Sequence, residues 1–111
     1  EQVTNDNSYV EELVKLGVIS KEEARNHDKK NIVPRAIGTD SSVEIDFYQR
    51  EIKEKDILLM CSDGLTNMLK DFEIKEILDR KYLPSFCCEQ LIKEAKQKGG
   101  YDNISIILVY L

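Results

Sequence analysis

Long apolar runs are missing from this chain of 111 residues. The longest uninterrupted stretch, Ile106 to Leu111, falls far short of the roughly 20 residues that a membrane-spanning helix requires, so no membrane span is expected. Residues 1–9 are polar and acidic, which argues against a cleaved secretory signal. Lysine and arginine never occur more than two in a row, and 16 of them stand against 21 Asp and Glu for a formal charge of −5. A general nucleic-acid surface is therefore not expected. Cysteine is scarce. Cys87 and Cys88 are adjacent, which would strain a bridge between them, and Cys61 sits inside an apolar run. With no CxxC spacing and a single histidine, His27, a structural zinc site has little support. The expectation is small buried thiols in a reducing, cytoplasmic setting. No internal repeat, low-complexity tract or linker stands out.

What is present is enough for a fold. A composition that is 33% charged and 41% hydrophobic is not that of a disordered polyelectrolyte. The length allows one domain that buries roughly 65% of its unfolded surface. The first third reads as two short helices. Ser8 with Glu11, and Ser20 with Glu23, are capping boxes; Val10, Leu13 and Val14 share one face, Gly17 stops the first helix, and Ile19 can staple against Ala24. Ile32 to Ile37 reads as an edge or irregular strand because of Pro34. Val43, Ile45 and Phe47 alternate with polar neighbours as in a half-wet strand. After a polar turn at Lys53 to Asp56, Ile57 to Cys61 reads as a strand buried on both sides. A helix capped by Asp71 follows, with Ile74, Ile77 and Leu78 on one face. Another starts near Pro84, buries Cys88, Leu91, Ile92 and Ala95, and closes at Gly99-Gly100. A strand from Ile104 to Leu111 ends the chain, apolar on both faces. The whole reads as one α+β unit spanning residues 1–111.

Two acidic residues stand where chemistry could be done. Asp63 follows the strand Ile57 to Cys61 and precedes Gly64, a flexible backbone position; Asp102 sits between Gly99-Gly100-Tyr101 and the last strand. If these strands are antiparallel neighbours, both carboxylates reach one end of one sheet. Hard cations such as Mg²⁺ and Mn²⁺ take oxygen ligands of this kind. On spacing alone the two residues read equally well as turn residues.

The words around them are more specific. Leu58 to Thr66, LLMCSDGLT, resembles the "LLLCSDGLTD" segment of the metal-dependent PP2C (PPM) protein phosphatases. Lys98 to Ile107, KGGYDNISII, resembles their "GGxDNITVI". Asn31 to Gly38, NIVPRAIG, is similar to "RNxxTRALG". Asn5 to Ser8 together with Gly17 to Ala24 resembles the "DHSxV…G.IT.EEA" stretch of bacterial members. The four motifs occur in family order from about Val3 to the end. The family's acidic "ED" and "DGMGGH" segments do not occur, so the resemblance implies the C-terminal half of the domain. Glu1 to Thr4 reads as the middle of a strand, and the chain is expected to be cut from a longer protein.

The resemblance implies an α/β/β/α sandwich of antiparallel sheets flanked by helices, with the N-terminal half missing, and a flap-like helical segment over about residues 5–31. It implies a Ser/Thr phosphatase that hydrolyses phosphoserine and phosphothreonine with metal-activated water. Asp63 and Asp102 would be metal ligands of a binuclear Mn²⁺ or Mg²⁺ centre, and Asp63 could also touch a third ion. The other carboxylates, the phosphate-binding Arg and the His proposed as general acid belong to the missing half, so no catalytic group beyond the metal ligands is expected here. The fragment alone should be inactive or nearly so. Phosphoprotein substrates, a cognate Ser/Thr kinase and homodimerisation through exposed edges are the partners implied; a non-catalytic regulatory or binding module is the alternative. Asn7 stands for the usual His of "DHS", Lys29-Lys30 for "QR" and Asn67 for the last Asp of "SDGLTD". His27 and Ser8 read as local hydrogen-bonding residues. Lys29, Lys30 and Arg35 could steer a phosphoprotein or form a solvated edge, and Arg35 could equally anchor the flap.

Overall fold

The computed structural model describes residues 1–30 and 35–111. The strand expected from Ile32 to Ile37 begins in residues outside that set. The chain divides into two compact units, Glu1–Glu51 and Ile52–Leu111.

The first unit carries α1 (Tyr9–Lys15) and α2 (Lys21–Arg25). Both start as serine chemistry requires: Ser8 Oγ accepts the Glu11 N–H at 3.3 Å and Ser20 Oγ accepts the Glu23 N–H at 3.1 Å. Each satisfies one of the orphan donors at a helix start. Gly17, at φ +74°, ends the first helix in the left-handed region that glycine enters without penalty. Val10 and Ala24 are the buried side chains of the pair. Two expected strands are not formed. Residues 1–4 and 43–48 carry no strand, although Val43, Ile45 and Phe47 do alternate in sequence. A strand exists only with a hydrogen-bonded neighbour, and among the described residues none pairs with this segment; Phe47 is 89% exposed.

The second unit holds the core. Strands β1 (Ile57–Cys61) and β2 (Ile106–Tyr110) pair antiparallel, Ile57 opposite Tyr110 and Cys61 opposite Ile106. The polar turn before β1 is present: the Asp56 side chain accepts the Lys53 N–H at 2.8 Å. Helices α3 (Asp63–Thr66), α4 (Asp71–Leu78) and α5 (Pro84–Gln97) supply Leu65, Ile74, Ile77, Leu91 and Ala95 to one buried cluster that also takes Leu69 from the turn between α3 and α4, with Leu59, Ile106 and Leu108 of the sheet packed on it. The helices of this unit pack on one sheet face. This corrects the expectation that Ile57 to Cys61 is buried on both sides: Leu58 and Met60, with Ile107 and Val109 of the last strand, are exposed on the other face, where the strand period of two puts alternate residues.

Smaller differences have equally local causes. The N-cap of α4 is Lys70 and not Asp71, because Glu73 Oε2 accepts the Lys70 N–H at 2.7 Å. That carboxylate, three residues into the helix, satisfies the N–H of the N-cap residue itself. Glu73 also pairs with Lys98 at the end of α5, and that hydrogen bond, with the one from Lys70, holds its carboxyl below the ordinary range. In α5 the fully buried thiol is Cys87 and not Cys88. Cys87 lies under Tyr110, whose hydroxyl donates to its sulfur at 3.1 Å. Ile92 is only half-buried.

Candidate metal centre

The antiparallel ladder does not stop at the strand ends. Beyond Cys61 the Ser62 N–H donates to Ser105 O at 3.0 Å, so the segment before β2 stays against the segment after β1. The chain then turns at Asp63, the first residue of α3, while Asp102 lies just ahead of the paired stretch. Both carboxylates therefore stand at the same end of the two-stranded sheet, as antiparallel pairing requires.

Two further contacts hold that end closed. Ser62 is the N-cap of α3, yet its side chain makes no capping bond. Instead Ser62 Oγ accepts the Ser105 N–H at 3.0 Å and donates to Asn103 O at 3.3 Å. Gly64 is buried in the helical conformation, and a Cβ built on it would lie 2.1 Å from Asn103 O. Gly64 is thus a position of close backbone approach, not the flexible joint its sequence context suggests. Sequence reasoning missed Ser62, since a serine before a short helix reads simply as a cap; only the tertiary partner reveals its use.

The electrostatics suit a cation. Asp63 and Asp102 are exposed, and neither takes part in the ion pairs recorded among the described residues. Asp102 Oδ1 accepts the Asn103 N–H at 2.7 Å, which orients that carboxylate. Two hard oxygen ligand groups without a basic partner are chemically suited to Mn²⁺ or Mg²⁺, which retain waters beside protein carboxylates. Among the described residues no group of three or more His, Cys, Asp or Glu gathers. Asn67 is the C-cap of α3, its N–H donating to Asp63 O at 2.8 Å.

The other singled-out residues are engaged within the first unit. Arg35 bonds Asp46, at 2.7 Å to Oδ2, and also Asn7 Oδ1, so it ties residue 7 to residue 46 as an anchor. Lys29 Nζ lies 5.8 Å from the Tyr9 ring centroid, and His27 Nδ1 accepts the Lys29 N–H at 3.0 Å. The hydrogen bond from Arg35 is the main cause that holds the Asp46 carboxyl below its ordinary pKa. A carboxylate depressed in the fold stabilises it above the unfolded pKa of about 3.9, and that contribution is lost as pH falls through the folded value. Acidification through that depressed folded value, below the ordinary carboxylate range, is expected to release Arg35 from Asp46, seen as movement of the Arg35 and Asn7 side-chain NMR signals. In Asp46→Asn those signals should already be displaced at neutral pH; an unchanged pattern would remove the anchor role.

A scan against protein-family models finds no match. Individual proteins match clearly. The serine/threonine phosphatase stp of Listeria monocytogenes is 46% identical over 108 residues, 97% of this chain and 43% of that protein. Protein phosphatase PhpP of Streptococcus pneumoniae is 40% identical over 108 residues, again 97% of this chain and 44% of its own length. The chain thus spans less than half the length of the curated relatives it matches. The structure of the S. agalactiae serine/threonine phosphatase superposes with a TM-score of 0.92 at 40% identity, covering 100% of this chain and 46% of that one. The catalytic domain of phosphatase PstP, solved in complex with two manganese ions, superposes at 0.76 with 32% identity, covering 96% and 43%. Over nearly its whole length, in sequence and in fold, this chain is similar to somewhat under half of bacterial serine/threonine phosphatases.

Proposed function

We propose that this chain supplies Asp63 and Asp102 to the metal centre of a protein serine/threonine phosphatase. The observation that carries the reading is the antiparallel β1–β2 pairing, which delivers one carboxylate from the end of β1 and one from the approach to β2 to the same sheet end. Manganese in the related PstP structure supports the choice of ion. When bound, a pair of Mn²⁺ or Mg²⁺ ions supplies Lewis acidity to a phosphoryl group and activates water as the nucleophile. The chain's own part is to present two anionic ligand groups. Asp63 does so from the first turn of α3 and Asp102 from a carboxylate held by the Asn103 N–H. Substrates in this reading are phosphoserine and phosphothreonine proteins, and ligands and an acid group from outside this chain complete the centre.

The test is Mn²⁺-dependent hydrolysis of a phosphothreonine peptide. The chain alone is expected to show no turnover above background. Extended to the length of its relatives, it should hydrolyse the peptide, and Asp63→Asn in that context should lower kcat at least about 100-fold, by analogy with the loss of other transition-state charge stabilisers. A folded, extended protein without turnover, or full activity in Asp63→Asn, would overturn the proposal.

A further inference from the structure

Ser62 is placed oddly for its residue type. At a helix N-cap, serine normally accepts the N–H of the second or third helical residue. Here the Leu65 N–H goes to the Ser62 carbonyl at 3.2 Å, and the hydroxyl points across to the neighbouring segment. It makes two bonds there, to the Ser105 N–H and the Asn103 carbonyl. Those residues flank the stretch that leads back to Asp102, while Ser62 itself precedes Asp63. One hydroxyl thus bridges the two segments that carry the two carboxylates. On the other side of Asp63, Gly64 lets Asn103 O approach to a distance that no side chain would permit.

From this geometry we propose that Ser62 is a positioning residue: its hydroxyl sets the placement of the Asp102 segment relative to Asp63, so that the two carboxylates act on a cation as one site. The inference rests on the metal-centre reading of these residues. Its hydroxyl acts through the backbone of 103 and 105. Alanine at this position would leave the Ser105 N–H and the Asn103 carbonyl to water, and the sheet end would keep only the Ser62 N–H bond to Ser105 O.

The experiment is a titration of the 111-residue chain with Mn²⁺ into the millimolar range, read by paramagnetic broadening of backbone amide signals. In the wild type, the amides of 62–65 and of 101–104 should broaden together with one midpoint. In Ser62→Ala the two groups should separate into two weaker midpoints, the tighter raised about five- to tenfold, as expected for losing hydrogen bonds of ordinary net worth. Ser62→Thr, which keeps the hydroxyl, should restore a single midpoint. A general loosening of the fold would not split the titration. A single wild-type midpoint in folded Ser62→Ala would overturn the positioning role and leave the metal reading intact. If the chain alone does not broaden, the same titration is made on the chain extended to the length of its relatives, where no broadening of either group would overturn the metal reading and this one with it. If Ser62→Ala does not fold, Ser62→Thr and hydrogen exchange of the wild-type Ser105 amide decide. Protection of that amide with a single Thr midpoint supports the role, and exchange at the free-chain rate, or a split midpoint in folded Ser62→Thr, overturns it.

Discussion

Gly64→Ala is expected to destabilise the second unit by about 2–3 kcal/mol, the usual scale for forcing an extra carbon into a packed site. Two effects oppose each other here. Gly64 lies inside α3 with no positive φ, so helix propensity alone would favour alanine by up to about 1 kcal/mol. Sterics run the other way and are larger. The new Cβ would meet Asn103 O at 2.1 Å and Asn103 C at 3.0 Å, and Ile104 Cγ1 at 3.4 Å. The first two are backbone atoms, which cannot rotate aside as the end of a flexible side chain could. The segment ahead of β2 must therefore move as a whole, and Asp102 moves with it. Urea denaturation followed by circular dichroism reads the loss, and amide shifts at 102–105 read the displacement. A variant as stable as the wild type would show that this segment yields freely and that the close approach has no structural weight.

Gly64 also shows where the sequence stops being legible. Features set by a few neighbouring residues could be read directly. The serine caps of α1 and α2 follow from side-chain oxygen reaching a backbone N–H three residues on. The bounds of α5 follow from Pro84 at its start and glycines in the left-handed region at its end. The two strands were legible as apolar runs of strand length, and their antiparallel pairing brings Asp63 and Asp102 to one sheet end. Features set by distant atoms were not legible. Nothing local to Ser62-Asp63-Gly64 announces that the Asn103 carbonyl sits against the glycine or that the serine hydroxyl reaches Ser105. Likewise, an alternating segment such as Val43 to Phe47 becomes a strand only where a neighbour supplies hydrogen bonds. Continuous apolar character in β1 shows that both faces can be buried, not that both are. The choice between Cys87 and Cys88 depended on the rotation of α5 under Tyr110, and adjacent cysteines cannot reveal that angle.

The largest effect on folding is expected at Leu91. It is fully buried at the centre of α5, in the cluster that joins Leu65 and Leu69 near α3 to Ile74 and Ile77 of α4, with the inner face of the sheet against it. Removing a fully buried leucine side chain costs about 2–5 kcal/mol, the upper end applying where neighbours cannot collapse into the space. A unit of this size has a total stability of about 3–9 kcal/mol at the usual value per residue. Leu91→Ala should therefore halve the stability of the unit or abolish its folding at room temperature, read as a matching fall in the urea midpoint. Leu83→Ala makes the control. Leu83 is just as apolar but 75% exposed, and its loss should stay within about 0.5 kcal/mol of the wild type. Equal effects at the two positions would mean that the cluster does not carry the fold. A large difference has a functional consequence. The helices of this unit pack on one face of the β1–β2 pair, so the packing around Leu91 is what holds the strand pair whose end presents Asp63 and Asp102. A substitution that touches neither carboxylate should then weaken Mn²⁺ binding in proportion to the unfolded fraction. The same substitution should leave the affinity of the folded fraction unchanged, which separates this loss from the one expected at Ser62.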